Sequence, residues 1–96
     1  MCVLFAPPDV VRDIIARYGD RLSIAAENGP ENTVISGEET LVDEAARELE
    51  IQGIKHQRLV VSHAFHSDLL TPILDRWEAF AGSMTYRAPT IPIVSN

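Results

Sequence analysis

The sequence predicts an α+β fold in which an antiparallel sheet carries helices on one of its faces. Three observations lead to this prediction. Short runs of strand-forming residues alternate with longer apolar stripes at helical spacing, in the order β-α-β-β-α-β. Turn-forming residues separate the two middle strands, so a hairpin is the simplest connection between them. The chain has 96 residues and is 46% hydrophobic, which is typical of one globular domain with a single core.

The first strand and the first helix lie at the start of the chain. Residues 1–6 form a short apolar run that Pro7-Pro8 ends, so a strand is predicted there. A proline in the first turn and Asp9 near the N-terminus then favour a helix, which Gly19 ends. The apolar residues of this helix recur at helical spacing and are Val10, Val11, Ile14, Ile15 and Tyr18.

Two strands joined by a turn follow the first helix. Apolar and small side chains alternate in residues 22–26, and residues 33–36 form a second run that favours a strand. Residues 27–32 lie between these runs and include Asn, Gly and Pro, the residue types that favour turns. We therefore expect a hairpin with a six-residue loop.

A second helix and a fourth strand complete the unit. Glu38 and Glu39 favour a helix N-terminus, Gly53 is placed as a C-cap, and residues 54–61 return as a strand. The buried stripe of this helix is Leu41, Val42, Ala45, Ala46 and Leu49. The opposite face predicts a solvated surface rather than a binding site and carries Asp43, Glu44, Arg47, Glu48 and Glu50. This order of elements is that of the ferredoxin-like split βαβ unit.

An extra C-terminal helix is predicted after this unit, with Pro72 tolerable only near its start. It is more apolar than a surface helix needs, so we expect it to cover the open face of the sheet, to pack against a second copy, or to be disordered. Residues 93–96 begin a strand stub. A soft boundary then divides the chain into residues 1–61 and residues 62–96. The apolar stripe of the extra helix is Leu69, Leu70, Ile73, Leu74, Trp77, Phe80 and Ala81.

Charge and cysteine content exclude several classes of partner. The formal net charge is −6 and the pI is near 4.8, whereas nucleic acids and anionic membranes are bound by clustered Lys and Arg. The single cysteine, Cys2, cannot form an intramolecular disulfide, and a reducing cytoplasm fits this composition. The chain has neither a signal-peptide pattern nor an apolar stretch of about 20 residues that could span a bilayer. We therefore expect a cytoplasmic protein without nucleic-acid or membrane partners.

Residues 60–67, which we term the histidine segment, contain the candidate chemistry. They hold His63 and His66 between Ser62 and Ser67. An imidazole can take a proton from a nucleophile and return it to a leaving group, because its pKa lies near neutrality. Whether the two histidines share a face depends on the backbone, since a helix would align them and an extended segment would separate them. The plain alternative is an ordinary loop histidine beside a helix that Ser67 caps.

Two self-contained sites are poorly supported. A metal site would need convergent ligands, and only one carboxylate lies near in sequence; the candidates are His56, His63, His66 and Asp68. We therefore predict no metal. A Ser/His hydrolase would need its serine on a sharp elbow such as Gly-x-Ser-x-Gly, and neither Ser62 nor Ser67 has that setting.

A family resemblance extends this interpretation. Four motifs, in their order and spacing, resemble the acyltransferase domains of modular type I polyketide synthases. Those domains are similar to the malonyl-CoA:acyl-carrier-protein transacylases, which have a large α/β-hydrolase-like part and a small ferredoxin-like insert. The element order predicted above agrees with that insert. The motifs are Asn28-Gly29-Pro30, Val34-Ile35-Ser36-Gly37, Ser62-His63-Ala64-Phe65-His66-Ser67, and Tyr86-Arg87-Ala88-Pro89 followed by Pro92-Ile93-Val94-Ser95-Asn96.

The resemblance implies roles for the four residues His63-Ala64-Phe65-His66. His66 would be the catalytic general base and acid, while His63, Ala64 and Phe65 would shape the substrate pocket around the α-carbon of the extender unit. The His-Ala-Phe-His motif is similar to that of domains that select malonyl units, and discrimination against one methyl group is worth about 1–3 kcal/mol. The complete domain would move a malonyl-type unit from CoA, through a serine ester, to the phosphopantetheine thiol of an acyl carrier protein.

The sequence also departs from the family pattern. It contains no Gly-His-Ser-x-Gly elbow, and the family's carboxylate-binding arginine and oxyanion glutamine also lie upstream of the matched region. We therefore expect a fragment that is inactive alone, holds no cofactor, and has the large acyltransferase subdomain as its partner. The complete domain would use an acyl-CoA substrate and a phosphopantetheinylated carrier protein. The alternative is a freestanding ferredoxin-like binding or regulatory module that dimerises through its sheet, with structural histidines.

Overall fold

A computed structural model describes residues 1–94. The predicted element order is confirmed, with a 3₁₀ helix before the second strand and another before the last helix. Leu22–Gly29 and Asn32–Gly37 form the hairpin of the sheet. The elements are β1 (Cys2–Leu4), α1 (Pro8–Ile15), a 3₁₀ helix (Ala16–Arg21), β2 (Leu22–Gly29), β3 (Asn32–Gly37), α2 (Glu39–Ile51), β4 (His56–Arg58), a 3₁₀ helix (Asp68–Ile73) and α3 (Leu74–Gly82).

The four strands form one sheet in the order β2-β3-β1-β4, and every neighbouring pair is antiparallel. Cys2 of the central strand β1 lies opposite Ile35 on one side and Arg58 on the other. This is the arrangement that the β-α-β-β-α-β order predicts, so the ferredoxin-like α+β fold is confirmed. No helix among residues 1–94 is both long and apolar enough to cross a membrane.

The core lies between the sheet and helices α1 and α2. Burial of the Cys2 thiol in this core raises its pKa, because the low-dielectric surroundings disfavour the thiolate. Side chains alternate along β3, so Val34 and Ser36 lie on the opposite, open face of the sheet, yet both are buried. The core residues are Cys2, Leu4, Ala6, Val11, Ile15, Leu22, Ile35, Leu41, Val42, Ala45, Ala46 and Leu49.

The C-terminus of α2 is capped as predicted. Gly53 has a φ of 82° and donates its N–H to the carbonyl of Glu50, while Ile54 donates to the carbonyl of Leu49. These two bonds define a Schellman motif, in which glycine supplies the left-handed residue without a steric penalty. Ile54 packs against the core, so the chain leaves α2 directly toward β4.

Helix α1 and the hairpin both differ from the prediction. Helix α1 ends at Ile15 and the chain tightens into the 3₁₀ helix Ala16–Arg21 instead of remaining α-helical to Gly19. In the hairpin the strands extend through the predicted loop and leave a two-residue turn, Pro30-Glu31. Two register shifts in β2, near Ala25 and Asn28, accommodate the extra residues as bulges. Bulges on this edge strand make it a poor template for pairing with another sheet.

Strand β4 is shorter than predicted, because it covers His56–Arg58 rather than residues 54–61. Since Arg58 lies opposite Cys2, only Leu59 finds a further partner, donating its N–H to the carbonyl of Met1. Val60 lies opposite no residue of β1 and is fully exposed. Val60 and Val61 therefore belong to the histidine segment rather than to the sheet.

The predicted third helix is divided in two. Pro72 lies in the 3₁₀ helix Asp68–Ile73, and the α-helical part begins only at Leu74. The apolar stripe does not cover the sheet, because Trp77 is 61% exposed and Phe80 is 56% exposed. Accordingly, the Cα radius of gyration is 16.1 Å, against about 12 Å expected for a compact domain of this length. Ile93 and Val94 form no strand, and Ser95 and Asn96 of the predicted stub lie outside the described residues.

We predict that Gly37→Ala destabilises the chain more than any other glycine-to-alanine change. A Cβ at this position would lie 2.1 Å from the backbone carbonyl oxygen of Arg21, and that carbonyl accepts the N–H of Glu38. Overpacking of this kind costs about 1–3 kcal/mol. Urea unfolding measures the effect, with Gly29→Ala as the matched control because a Cβ there meets nothing within 4 Å. Equal stability of the two variants would show that the end of β3 moves freely.

Candidate functional site

The histidine segment follows β4 and borders two surface depressions. At its start, Ser62, His63 and Ala64 line a surface depression together with Gly37 at the end of β3. At its end, His66 and Ser67 line a second depression together with Ser23 at the start of β2. The segment therefore spans the ends of strands β3 and β2, which the fold holds in place through the core.

His66 has an unusual backbone conformation. Its φ is 57°, and it is the one non-glycine residue with a positive φ in the described chain, residues 1–94. The left-handed conformation costs a residue with a Cβ roughly 1–2 kcal/mol, although histidine adopts it more often than most residues. Strained backbone of this kind is concentrated at functional sites, where the surrounding structure maintains it. The strain sets the direction in which the exposed imidazole leaves the chain.

A side-chain hydrogen bond closes the turn that carries His66. The Ser67 hydroxyl donates to the carbonyl oxygen of Ala64 at 2.6 Å, and both residues are half-buried. The prediction that the Ser67 side chain caps the next helix is wrong, because its hydroxyl is used in this turn. The backbone carbonyl of Ser67 instead accepts the N–H of Leu70 at 3.0 Å. We term residues 64–67 the histidine turn.

His63 and Phe65 form an exposed aromatic pair beside the turn. Their ring centroids are 5.9 Å apart and the ring planes are tilted by 51°. The Nδ1 atom of His63 also lies 2.9 Å from the Ser62 hydroxyl, which fixes the direction of this ring. The pair presents an exposed aromatic surface with one polar edge.

The two histidines do not converge. His63 faces the depression at the end of β3, whereas His66 faces the one at the start of β2. Within residues 1–94 no group of three or more His, Cys, Asp or Glu side chains could hold a metal ion. The backbone thus answers the question that the spacing left open, since each histidine borders a separate depression.

Ion pairs that the sequence pattern does not predict hold a residue just before the histidine segment. Arg58 at the end of β4 contacts two carboxylates of α2, Glu39 at 2.7 Å and Asp43. Arg17 similarly contacts Glu48. The face of α2 assigned only to solvent therefore also joins the helix to its neighbours. Each exposed pair contributes only about 0.2–1 kcal/mol, so their main effect is on local geometry.

Comparisons with known proteins give a consistent result, although no family model matches the chain. The mycoketide-CoA synthase of Mycobacterium tuberculosis is 38% identical over 96 residues, which are all of this chain and 2% of that protein. The spectinabilin polyketide synthase system protein NorB of Streptomyces orinoci is also 38% identical over 96 residues, 4% of its length.

A solved structure gives a closer match. The acyltransferase domain from the second module of the salinomycin polyketide synthase has a TM-score of 0.92 and 47% identity. The match covers 99% of this chain and 23% of that chain. The 96 residues therefore span about a quarter of the length of that structure and a few per cent of the two relatives.

Proposed function

Because the chain belongs to the acyltransferase domains of polyketide synthases, we propose that it supplies the acid–base histidine and the extender-contacting wall of such a domain. Residues 1–61 are the small ferredoxin-like subdomain in this proposal, and residues 62–96 lead into the large subdomain. The observation that carries the proposal is the His63-Ala64-Phe65-His66 motif. It occurs in a chain that matches a polyketide synthase acyltransferase domain over 99% of its length.

The proposed reaction is a double acyl transfer. A serine of the large subdomain attacks the thioester carbonyl of a malonyl-type CoA, the C–S bond breaks, and a serine ester forms. The phosphopantetheine thiol of an acyl carrier protein then attacks this ester and releases the serine. The chain itself holds no cofactor in this scheme, since acyl-CoA and the carrier-bound thiol are the reactants. Splitting the transfer into two steps is the usual advantage of a covalent intermediate.

His66 moves the protons in both steps. It accepts the serine proton as the C–O bond forms and delivers it to the departing CoA thiolate. In the second step it accepts the proton of the carrier thiol and returns it to the serine oxygen. A base that serves two steps must hold one orientation, and the left-handed backbone of the histidine turn, closed by Ser67, supports this role.

His63, Ala64 and Phe65 select the extender unit. Phe65 is 43% exposed in the isolated chain, so its ring is free to contact a group bound beside the turn. A ring in this place fills space that an α-methyl group would need, which favours malonyl over methylmalonyl units. A single methyl group is worth about 1–3 kcal/mol in such a pocket, so the preference is roughly 10- to 200-fold.

The proposal is tested first by the behaviour of the isolated chain. We predict that it forms no acyl ester with malonyl-CoA and loads no carrier protein, because its 96 residues contain no Gly-His-Ser-x-Gly elbow. Intact-mass spectrometry after incubation with malonyl-CoA gives the answer, with the complete acyltransferase domain as the positive control. A stoichiometric, hydroxylamine-sensitive adduct that Ser62→Ala or Ser67→Ala abolishes would show that the nucleophile lies in this chain.

A further inference from the structure

Ser36 has a neighbouring residue in each of the two depressions beside the histidine turn. Ser36 follows Val34 on the open face of β3, and its cross-strand neighbour on β2 is Ser23. Ser23 lines the depression that contains His66 and Ser67, while Gly37, the next residue of β3, lines the one that contains His63 and Ala64. Ser36 therefore adjoins one residue of each depression.

Ser36 is fully buried, and its Oγ has no hydrogen-bond partner among residues 1–94. Helices α1 and α2 pack on the other face of the sheet, so the cover of Ser36 comes from its open side. A buried hydroxyl without a partner costs free energy, which an alanine of similar size would avoid. A buried polar group without a hydrogen-bond partner needs an explanation, and a functional role is one possible explanation.

We propose that Ser36 is a positioning residue, whose hydroxyl donates a hydrogen bond to a backbone carbonyl of the histidine turn in the complete acyltransferase domain. This inference rests on the proposed function. Two conformational facts support it: His66 holds a left-handed φ of 57°, and the turn's one side-chain bond in the described chain is that from Ser67 to Ala64. A second bond from the sheet below would connect the strained turn to the rigid core.

Thr33 provides a matched control on the same strand. Its side chain is also fully buried, but its hydroxyl already donates to the carbonyl of Ala6 at 2.9 Å, on the face packed by the helices. Ser36→Ala and Thr33→Val therefore each remove one buried hydroxyl from β3. If Ser36 positions His66, the two variants will differ in kind: the first alters catalysis and the second alters stability.

The experiment uses the complete acyltransferase domain. We expect Ser36→Ala to slow single-turnover acylation by malonyl-CoA about 10- to 100-fold, because a small misplacement of a catalytic group has effects of this size. The KM for malonyl-CoA should stay unchanged. The midpoint of thermal unfolding should stay unchanged or rise. The acid limb of the pH–rate profile should shift. Ser36→Thr, which keeps the hydroxyl, should restore most of the rate. Thr33→Val should shift the unfolding equilibrium about fivefold toward the unfolded state and leave acylation unchanged.

Three outcomes would overturn the inference. The first is that Ser36→Ala is acylated at the wild-type rate. The second is that Ser36→Ala and Thr33→Val both lose rate in proportion to their loss of stability. The third is that Ser36→Ala loses rate while its pH–rate profile stays unshifted. If Ser36→Ala fails to fold, Ser36→Cys takes its place, because a thiol has similar volume and is a weak donor. A wild-type domain that transfers no acyl group would contradict the proposed function itself, whereas an active Ser36→Ala domain would contradict only the role of Ser36.

Discussion

His66→Ala in the complete acyltransferase domain is expected to lower the rate of serine acylation by about 10²–10⁴-fold, the usual loss when a positioned general base is removed. The matched variant is His66→Asn. Asparagine tolerates the left-handed φ of 57° that His66 adopts, so it keeps the backbone of the turn while removing the group that moves the proton. Both variants should lose activity to a similar extent, because both lack the imidazole that moves the proton.

His63→Ala is the second control for the same experiment. His63 faces a different depression from His66 and packs beside Phe65, so its loss should change the ratio of malonyl to methylmalonyl transfer more than the malonyl rate. Stopped-flow acylation with each extender unit measures both quantities. Near-wild-type acylation by His66→Asn would exclude His66 as the base. Equal loss of malonyl transfer in the His63 and His66 variants, with unchanged selectivity, would overturn the separate roles.

The fold could be predicted because each level of the sequence points to the same arrangement. The apolar stripe of α2 and the glycine at position 53 define one helix and its end without any long-range information. The lengths of β4 and of the hairpin loop could not be predicted, since they depend on the neighbouring strand. Val60 has strong strand propensity, yet it is exposed because no residue of β1 lies opposite it.

The sequence indicates which residues are candidates for the site, but it does not give their geometry. The His63-Ala64-Phe65-His66 motif marks the residues, whereas no residue type there signals the positive φ of His66. The sequence predicts that the Ser67 hydroxyl accepts an N–H of the next helix. In the structure this hydroxyl instead donates to the carbonyl of Ala64. The role inferred for Ser36 depends on tertiary contacts across two strands, which sequence spacing does not show.

The largest effect expected for the isolated chain concerns the apolar stripe of the 3₁₀ helix and α3. Five of its side chains are more than half exposed, and Trp77 and Phe80 form an aromatic pair with centroids 6.2 Å apart. Arg76 borders the same patch. Burying each side chain is worth roughly 1.5–3 kcal/mol, so a patch of five rarely stays exposed on a monomer. The five exposed members of the stripe are Leu69, Ile73, Leu74, Trp77 and Phe80.

We therefore expect the isolated chain to self-associate through this stripe. If the chain stays monomeric, we expect α3 to unfold. The variant Trp77→Asp, Leu74→Asp should be monomeric by sedimentation velocity, because two carboxylates would have to be desolvated in the contact. Ala79→Asp, Gly82→Asp adds the same charge to the opposite side of the helix, so it should still associate. A wild-type monomer whose α3 amides are protected from hydrogen exchange would contradict both expectations, since that helix would be stable with its apolar face in water.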